Sequence, residues 1–149
     1  VEMRVIVQRC MKASVMVNDN VVGSIQQGLM LLVGFTEGDS LKEIDYMVDK
    51  ILHLRIFDDE DGVMNLSLLD VGGSVLSVSQ FTLYGDVKKG RRPSYVRALN
   101  GERASLLYQL FNDRLRKSGT LVETGIFGAD MKVSLVNDGP VTIILEREG

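Results

Sequence analysis

His53 is the only histidine and Cys10 the only cysteine in the chain, and those two facts bound its chemistry. A conventional zinc set needs more imidazole or thiolate ligands than this sequence offers, so no metal site is expected. A serine-histidine-acid triad also fails. The glycine-flanked serine of Gly72-Gly73-Ser74-Val75-Leu76 lacks the second glycine of a nucleophile elbow, and no histidine follows it. The acidic run Asp58-Asp59-Glu60-Asp61-Gly62 invites a calcium reading. Aligning Gly62 with the glycine of a calcium loop, however, puts Phe57 at the first ligand position and Leu68 at the twelfth, so the run reads as a solvated turn. No GxGxxG or Walker segment is present. Chemistry without a cofactor remains.

Three other groups of residues could carry function. Serines and a glutamine interrupt a core-like segment at Val75-Leu76-Ser77-Val78-Ser79-Gln80-Phe81-Thr82-Leu83. If this is an extended strand, Gln80 and Thr82 face one way and Ser79 and Phe81 the other. By itself it reads as a half-buried strand whose polar groups pair internally. Asn137-Asp138-Gly139-Pro140 reads as a turn between two strands. Lys88-Lys89-Gly90-Arg91-Arg92 is the densest positive cluster and follows the interrupted segment closely. On charge alone it is as readily a solvated loop as a phosphate contact.

The elements that must position these groups are legible from periodicity and turn chemistry. Arg4 to Arg9 is β-rich, and Ala13 to Val17, Asn18-Asp19-Asn20 and Val21-Val22 read as a hairpin. Leu29-Met30-Leu31-Leu32-Val33 suits a strand covered on both faces. Ser40 with Glu43 forms a capping box, and Leu41, Ile44, Met47 or Val48, and Ile51 recur at helical spacing. A second helix is expected from Asn100 or Gly101, with Glu102 in its first turn and Ala104, Leu107, Phe111 and Leu115 on its apolar side. Arg116 and Lys117 suit its negative end, and Gly119 can stop it. Val122 to Thr124, Met131 to Val136 and Val141 to Leu145 supply further strands.

The chain has 149 residues, 45 % hydrophobic and 25 % charged, a balance that suits one α+β domain over residues 3–149. Val1-Glu2 ahead of Met3 is expected to be an expression remnant. The net charge of -3 excludes a uniformly basic surface but not a local cluster that neutralises phosphates. Cys10 in an apolar stretch reads as an interior thiol in a reducing compartment. No signal peptide or membrane span is apparent, so a cytoplasmic protein is expected.

Ordered matches along the sequence add a further layer. From Met3-Arg4-Val5-Ile6-Val7-Gln8-Arg9 onward the chain resembles the D-aminoacyl-tRNA deacylase (D-tyrosyl-tRNA deacylase) family. The strongest signatures are Ser79-Gln80-Phe81-Thr82-Leu83 and Asn137-Asp138-Gly139-Pro140-Val141-Thr142. Asn65-Leu66-Ser67, Asp70-Val71-Gly72-Gly73, Lys89-Gly90-Arg91-Arg92-Pro93 and Phe127-Gly128-Ala129-Asp130-Met131 accompany them in order.

The resemblance implies a barrel-like sheet core with two principal helices, and hydrolysis of the ester of a D-amino acid on tRNA with rejection of the L ester. It implies no cofactor. It also implies a homodimer in which Gly139-Pro140, joined by a cis bond, enters the partner's site beside Ser79, Gln80, Phe81 and Thr82, with Arg9 and Asn137 supporting it. In that family setting backbone N–H groups and the Gln80 amide could stabilise oxyanion charge, and Thr82 could be a nucleophile, although no histidine is placed to activate it. Help from the 2'-hydroxyl of the tRNA end is the favoured alternative. Glycine, having no side chain, is expected to pass the same filter, including glycine mischarged on alanine tRNA. Lys88, Lys89, Arg91 and Arg92 are implied to contact the acceptor end. The competing reading is a noncatalytic RNA-binding or homodimeric interaction protein on the same fold, and a generic serine esterase is weaker.

Overall fold

A computed structural model describes residues 3–147, and the expression remnant expected at Val1-Glu2 lies outside the described residues. Its organising element is β1 (Arg4–Val17), where Val5, Val7, Ala13 and Val15 are buried at alternate positions. Two strands were expected there. Instead the chain runs on through Cys10, because β1 changes partners along one edge and never loses its ladder. Residues Arg4 to Cys10 pair with β3 (Gly28–Gly34), and Ala13 to Val17 pair with β2 (Asn20–Ile25). Asn18 and Asp19 make the turn into β2 with φ of 49° and 65°, the left-handed geometry a two-residue hairpin loop requires.

Strand β3 is buried on both faces, as its unbroken apolar sequence predicts. It pairs antiparallel with β1 and in parallel with β6 (Ser74–Ser79), which in turn carries β7 (Val122–Thr124). The short strands β4 (Phe57–Asp58) and β5 (Met64–Leu66) form a separate ribbon. The far edge of β1 pairs with β8 (Lys132–Glu146). Gly23 of β2 approaches β7 so closely that a Cβ there would lie 2.9 Å from the Thr124 carbonyl oxygen. The sheet is thereby almost closed, so the α+β domain expected from the sequence has the barrel-like core that the resemblance implies.

Helix α1 (Leu41–His53) starts at the expected capping box, where the Glu43 carboxylate accepts from the Ser40 N–H at 2.8 Å. Ile44, Met47, Val48, Ile51 and Leu52 form its buried stripe, but Leu41, expected to join it, is exposed. The four-residue helix α2 (Leu68–Val71) begins at Ser67. Helix α3 (Gly101–Arg116) buries Ala104, Leu107, Phe111 and Leu115 as expected, and α1 and α3 share one apolar core with β1 and β3. Cys10, Val15, Met30, Leu76 and Val78 form a second core inside the barrel. Among the described residues no helix is long and apolar enough to cross a membrane.

Candidate active site

The interrupted segment does not remain a strand. β6 stops at Ser79, the Gln80 N–H donates to the Val33 carbonyl at 2.8 Å, and Phe81–Tyr84 then turns as a 3-10 helix. The alternating faces expected for Gln80 and Thr82 against Ser79 and Phe81 are therefore corrected. Tyr84 causes the turn: its ring is buried, its hydroxyl donates to the Gly34 carbonyl at 3.2 Å, and the Arg4 guanidinium lies over it at 4.9 Å. Arg4 also donates to the Leu83 carbonyl at 2.9 Å. Gly34 makes room, because a Cβ there would meet Tyr84 Cε2 at 3.0 Å and the Gln80 carbonyl oxygen at 3.1 Å. The first N–H groups of the turn, those of Phe81 and Thr82, have no acceptor within it.

This turn forms one wall of a cleft of about 440 Å³. Ser79, Gln80 and Phe81 line it, whereas Thr82 lies exposed at the rim, its hydroxyl oxygen accepting from the Gln80 amide. The opposite wall is Leu99 to Gly101 and Ala104, tied to the end of β3 by the Leu99 N–H on the Phe35 carbonyl at 2.9 Å. Buried Asp39 accepts from the Thr36 N–H at 2.7 Å and firms this corner. Burial pushes its carboxyl above the usual range, against the pull of that hydrogen bond. Phe127 to Met131 closes the third side. The Phe127 ring packs 6.1 Å from that of Tyr108, and the Gly125 N–H donates to the Ser77 carbonyl at 3.1 Å.

Among the described residues, the cleft lining offers hydrogen-bond donors but no histidine and no buried carboxylate. Its one carboxylate, Asp130, is solvent-exposed and held by Lys132 at 2.9 Å. His53 sits at the end of α1, well exposed, with Nδ1 2.9 Å from the Asp49 carbonyl oxygen. Cys10 is enclosed in the barrel, where burial pushes its thiol up to about 11.

Gly139-Pro140 does not line this cleft. It lies on β8, which was expected to be two strands separated by a turn. Both halves instead pair with β1 in one direction, and residues Asp138 to Val141 bulge outward opposite the single residue Arg9. The peptide bond is cis, and Gly139 has φ of 135°. A Cβ on Gly139 would meet Val141 Cγ2 at 2.8 Å and Arg9 Nη2 at 3.1 Å.

The bulge is tightly held although its tip is exposed. Arg9, only 6 % exposed, donates from Nε to the Asp138 carbonyl at 2.8 Å and from Nη1 to the Ile56 carbonyl at 2.7 Å. The Asn137 amide closes the base, accepting from the Val141 N–H at 2.7 Å and donating to the Thr142 hydroxyl at 3.1 Å. Lys88, Lys89, Arg91 and Arg92 are exposed on a loop pinched at its base by the paired backbones of Asp86 and Ser94, 2.8 Å in both directions.

Sequence reasoning left the walls at Gly34, Phe35 and Leu99 to Ala104 unassigned. Gly34, ending an apolar strand, was the one signal for them. Phe127 to Met131 had been a matched motif without a position.

An almost closed α+β barrel with a cleft at its strand ends, and a Gly139-Pro140 bulge that does not line it, defines the class. The family profile described as D-Tyr-tRNA(Tyr) deacylase matches residues 6–146. A protein of Brevibacillus brevis named D-aminoacyl-tRNA deacylase is 60 % identical over 144 residues, covering 97 % of this chain and 99 % of that one. Its Geobacillus sp. (strain WCH70) counterpart of the same name is 59 % identical over 146 residues, covering 98 % and 96 %. A solved structure named c-Myc DNA Unwinding Element Binding Protein superposes with a TM-score of 0.92 at 42 % identity, covering 98 % of this chain and 99 % of that one. A second, described as a probable eukaryotic D-amino acid tRNA deacylase, has a TM-score of 0.84 at 22 % identity, covering 99 % and 100 %. The chain belongs to the D-Tyr-tRNA(Tyr) deacylase family.

Proposed function

We propose that the chain hydrolyses the ester of D-aminoacyl-tRNA and leaves the L ester intact, as a chiral proofreading step in the cytoplasm. The observation that carries this reading is the division of the site. Ser79, Gln80 and Phe81 line the cleft and Gly139-Pro140 does not, although Arg9 and Asn137 hold that bulge firmly on the same chain. A second copy supplies each with the other. Strand β8 favours such a homodimer, because among the described residues it pairs with β1 alone and exposes Val136 and Ile144.

In the assembled site the substrate carbonyl rests against the turn, where the Phe81 and Thr82 N–H groups and the Gln80 amide stabilise the oxygen as it becomes negative. Water adds to the carbonyl carbon, the bond to the ribose 3'-oxygen breaks, and that oxygen takes up a proton. Since no buried base lines the cleft among the described residues, the neighbouring ribose 2'-hydroxyl assists the transfer. The partner's main chain at Gly139-Pro140 stands where an L side chain would project, whereas a D side chain points to open space and glycine has none to collide. Lys88, Lys89, Arg91 and Arg92 neutralise acceptor-end phosphates, a contact sensitive to salt and indifferent to base identity.

The test is release of amino acid from matched D- and L-aminoacyl-tRNA by purified protein. D-selective release is expected, and equal rates would refute the reading. Thr82→Ala should retain most activity, and a tRNA ending in 2'-deoxyadenosine should be poorly cleaved. The reverse pattern would make Thr82 the nucleophile. A second reading, a noncatalytic nucleic-acid-binding protein, draws on the basic loop and on the name of the 42 % identical structure. Binding without release would favour it.

A further inference from the structure

Beside the cleft an exposed aromatic pair connects the catalytic turn to the basic loop. Phe81 lines the cleft yet is 45 % exposed, and its ring meets that of Tyr95 with centroids 5.1 Å apart and planes at 73°. Tyr95 follows directly on Ser94, where the loop carrying Lys88 to Arg92 is pinched shut, and it is fixed from two sides. Its carbonyl accepts from the Ala98 N–H at 3.0 Å, and Gly85 leaves room for its ring, since a Cβ there would lie 3.1 Å from Tyr95 Cε1. Val96 is 88 % exposed beside it. In space the order is cleft, aromatic pair, basic loop.

We propose that the Phe81–Tyr95 pair is a stacking platform for the base of the unpaired nucleotide next to the aminoacylated terminal nucleoside. The proposal rests on the deacylase reading and extends it by one nucleotide. An edge-to-face pair leaves ring surface uncovered, and a nucleobase stacks on such a surface whatever its identity. The phosphates on either side then face the cations of Lys88, Lys89, Arg91 and Arg92. This complementarity selects a polyanion with flat apolar faces over an apolar peptide. Asp86, the acid at the base of the loop, accepts from the Lys88 N–H at 2.9 Å. The platform would hold the strand in register so that the ester, and not the next linkage, reaches the turn.

Tyr95→Ala and Tyr95→Phe test this on two substrates, D-aminoacyl-tRNA and the D-aminoacyl ester of adenosine alone. Tyr95→Ala should raise KM for the tRNA about 5- to 150-fold, the range for loss of one stacked base, and leave the adenosine ester within twofold. Tyr95→Phe should behave as wild type on both. Equal losses on both substrates would mean that Tyr95 merely props Phe81, and an unchanged tRNA KM would mean that no base stacks there; either overturns the proposal. A single-stranded RNA with 2-aminopurine next to its terminal adenosine separates this question from hydrolysis. Its fluorescence should be quenched by wild type and Tyr95→Phe but not by Tyr95→Ala, even if the protein cleaves nothing, and equal quenching by all three would refute the platform.

Discussion

Replacing Arg9 by methionine keeps a long flexible side chain in place but removes the guanidinium that holds the bulge. Two charge-assisted hydrogen bonds are lost, to the Ile56 carbonyl at 2.7 Å and the Asp138 carbonyl at 2.8 Å. Bonds of this kind contribute ~1.5–3 kcal/mol each. The Ile56 carbonyl is buried and loses the full amount, whereas water reaches the partly exposed Asp138 carbonyl and recovers much of the second. The ion pair to Asp58, half in solvent, adds little. The sum is about 3 kcal/mol, which at roughly 2–4 °C per kcal/mol for a chain of this length lowers Tm by about 6–12 °C. Because Nη2 also abuts Gly139, the bulge loses its fixed orientation along with its anchor. Arg9→Met should therefore cleave D-aminoacyl-tRNA while admitting more of the L ester, lowering the ratio of the two rates. Thermal unfolding and paired deacylation assays on one preparation check both effects. A Tm within ~2 °C of wild type would refute the energetic reasoning, and an unchanged rate ratio would refute the role given to the arginine.

Cys10 should resist iodoacetamide at pH 8 in the folded protein, since burial pushes its thiol up to about 11, and should react fully once unfolded; prompt native labelling would contradict the enclosed barrel core. Glu43 makes stability depend on pH. Desolvation pushes its carboxyl up, but the hydrogen bonds from the Ser40 hydroxyl and backbone together outweigh that and leave it below the usual glutamate value of 4.5. A depressed folded value means stabilisation that is complete above the unfolded value and lost as pH falls through the folded one. Denaturant midpoints should therefore drop more steeply on acidification for wild type than for Glu43→Gln, and parallel curves would count against the capping box. Gly34→Ala should lower activity on every substrate by displacing Tyr84 or the Gln80 carbonyl, while Arg4→Lys should weaken the same turn less; a fully active Gly34→Ala would show that the turn tolerates the shift.

Much of the frame was legible in the sequence because its signals are local. The Ser40 and Glu43 pair starts α1, the three- and four-residue spacings of α3 mark its buried side, and the continuous run Leu29 to Val33 announces a strand covered on both faces. Ordered motifs carried the family assignment from end to end. Local signals could not show that Ser79-Gln80-Phe81-Thr82 leaves the sheet, since the alternation there fits a strand equally well. Tyr84 decides it, by burying its ring against Gly34 under Arg4, an association of residues far apart in sequence. Nor could they show that Asn137 to Pro140 is an outward bulge instead of a hairpin turn, because both use the same residue types. Whether the chain reverses after Pro140 or continues along β1 depends on which strand is there to receive it, and Arg9, far away in the chain, fixes the outcome. Sequence thus determined the family, the candidate site residues and most elements that bear them. Their division between a cleft and a bulge that does not line it came only from long-range pairing, since hydrogen-bond ladders and buried charge reward contacts that no local pattern encodes.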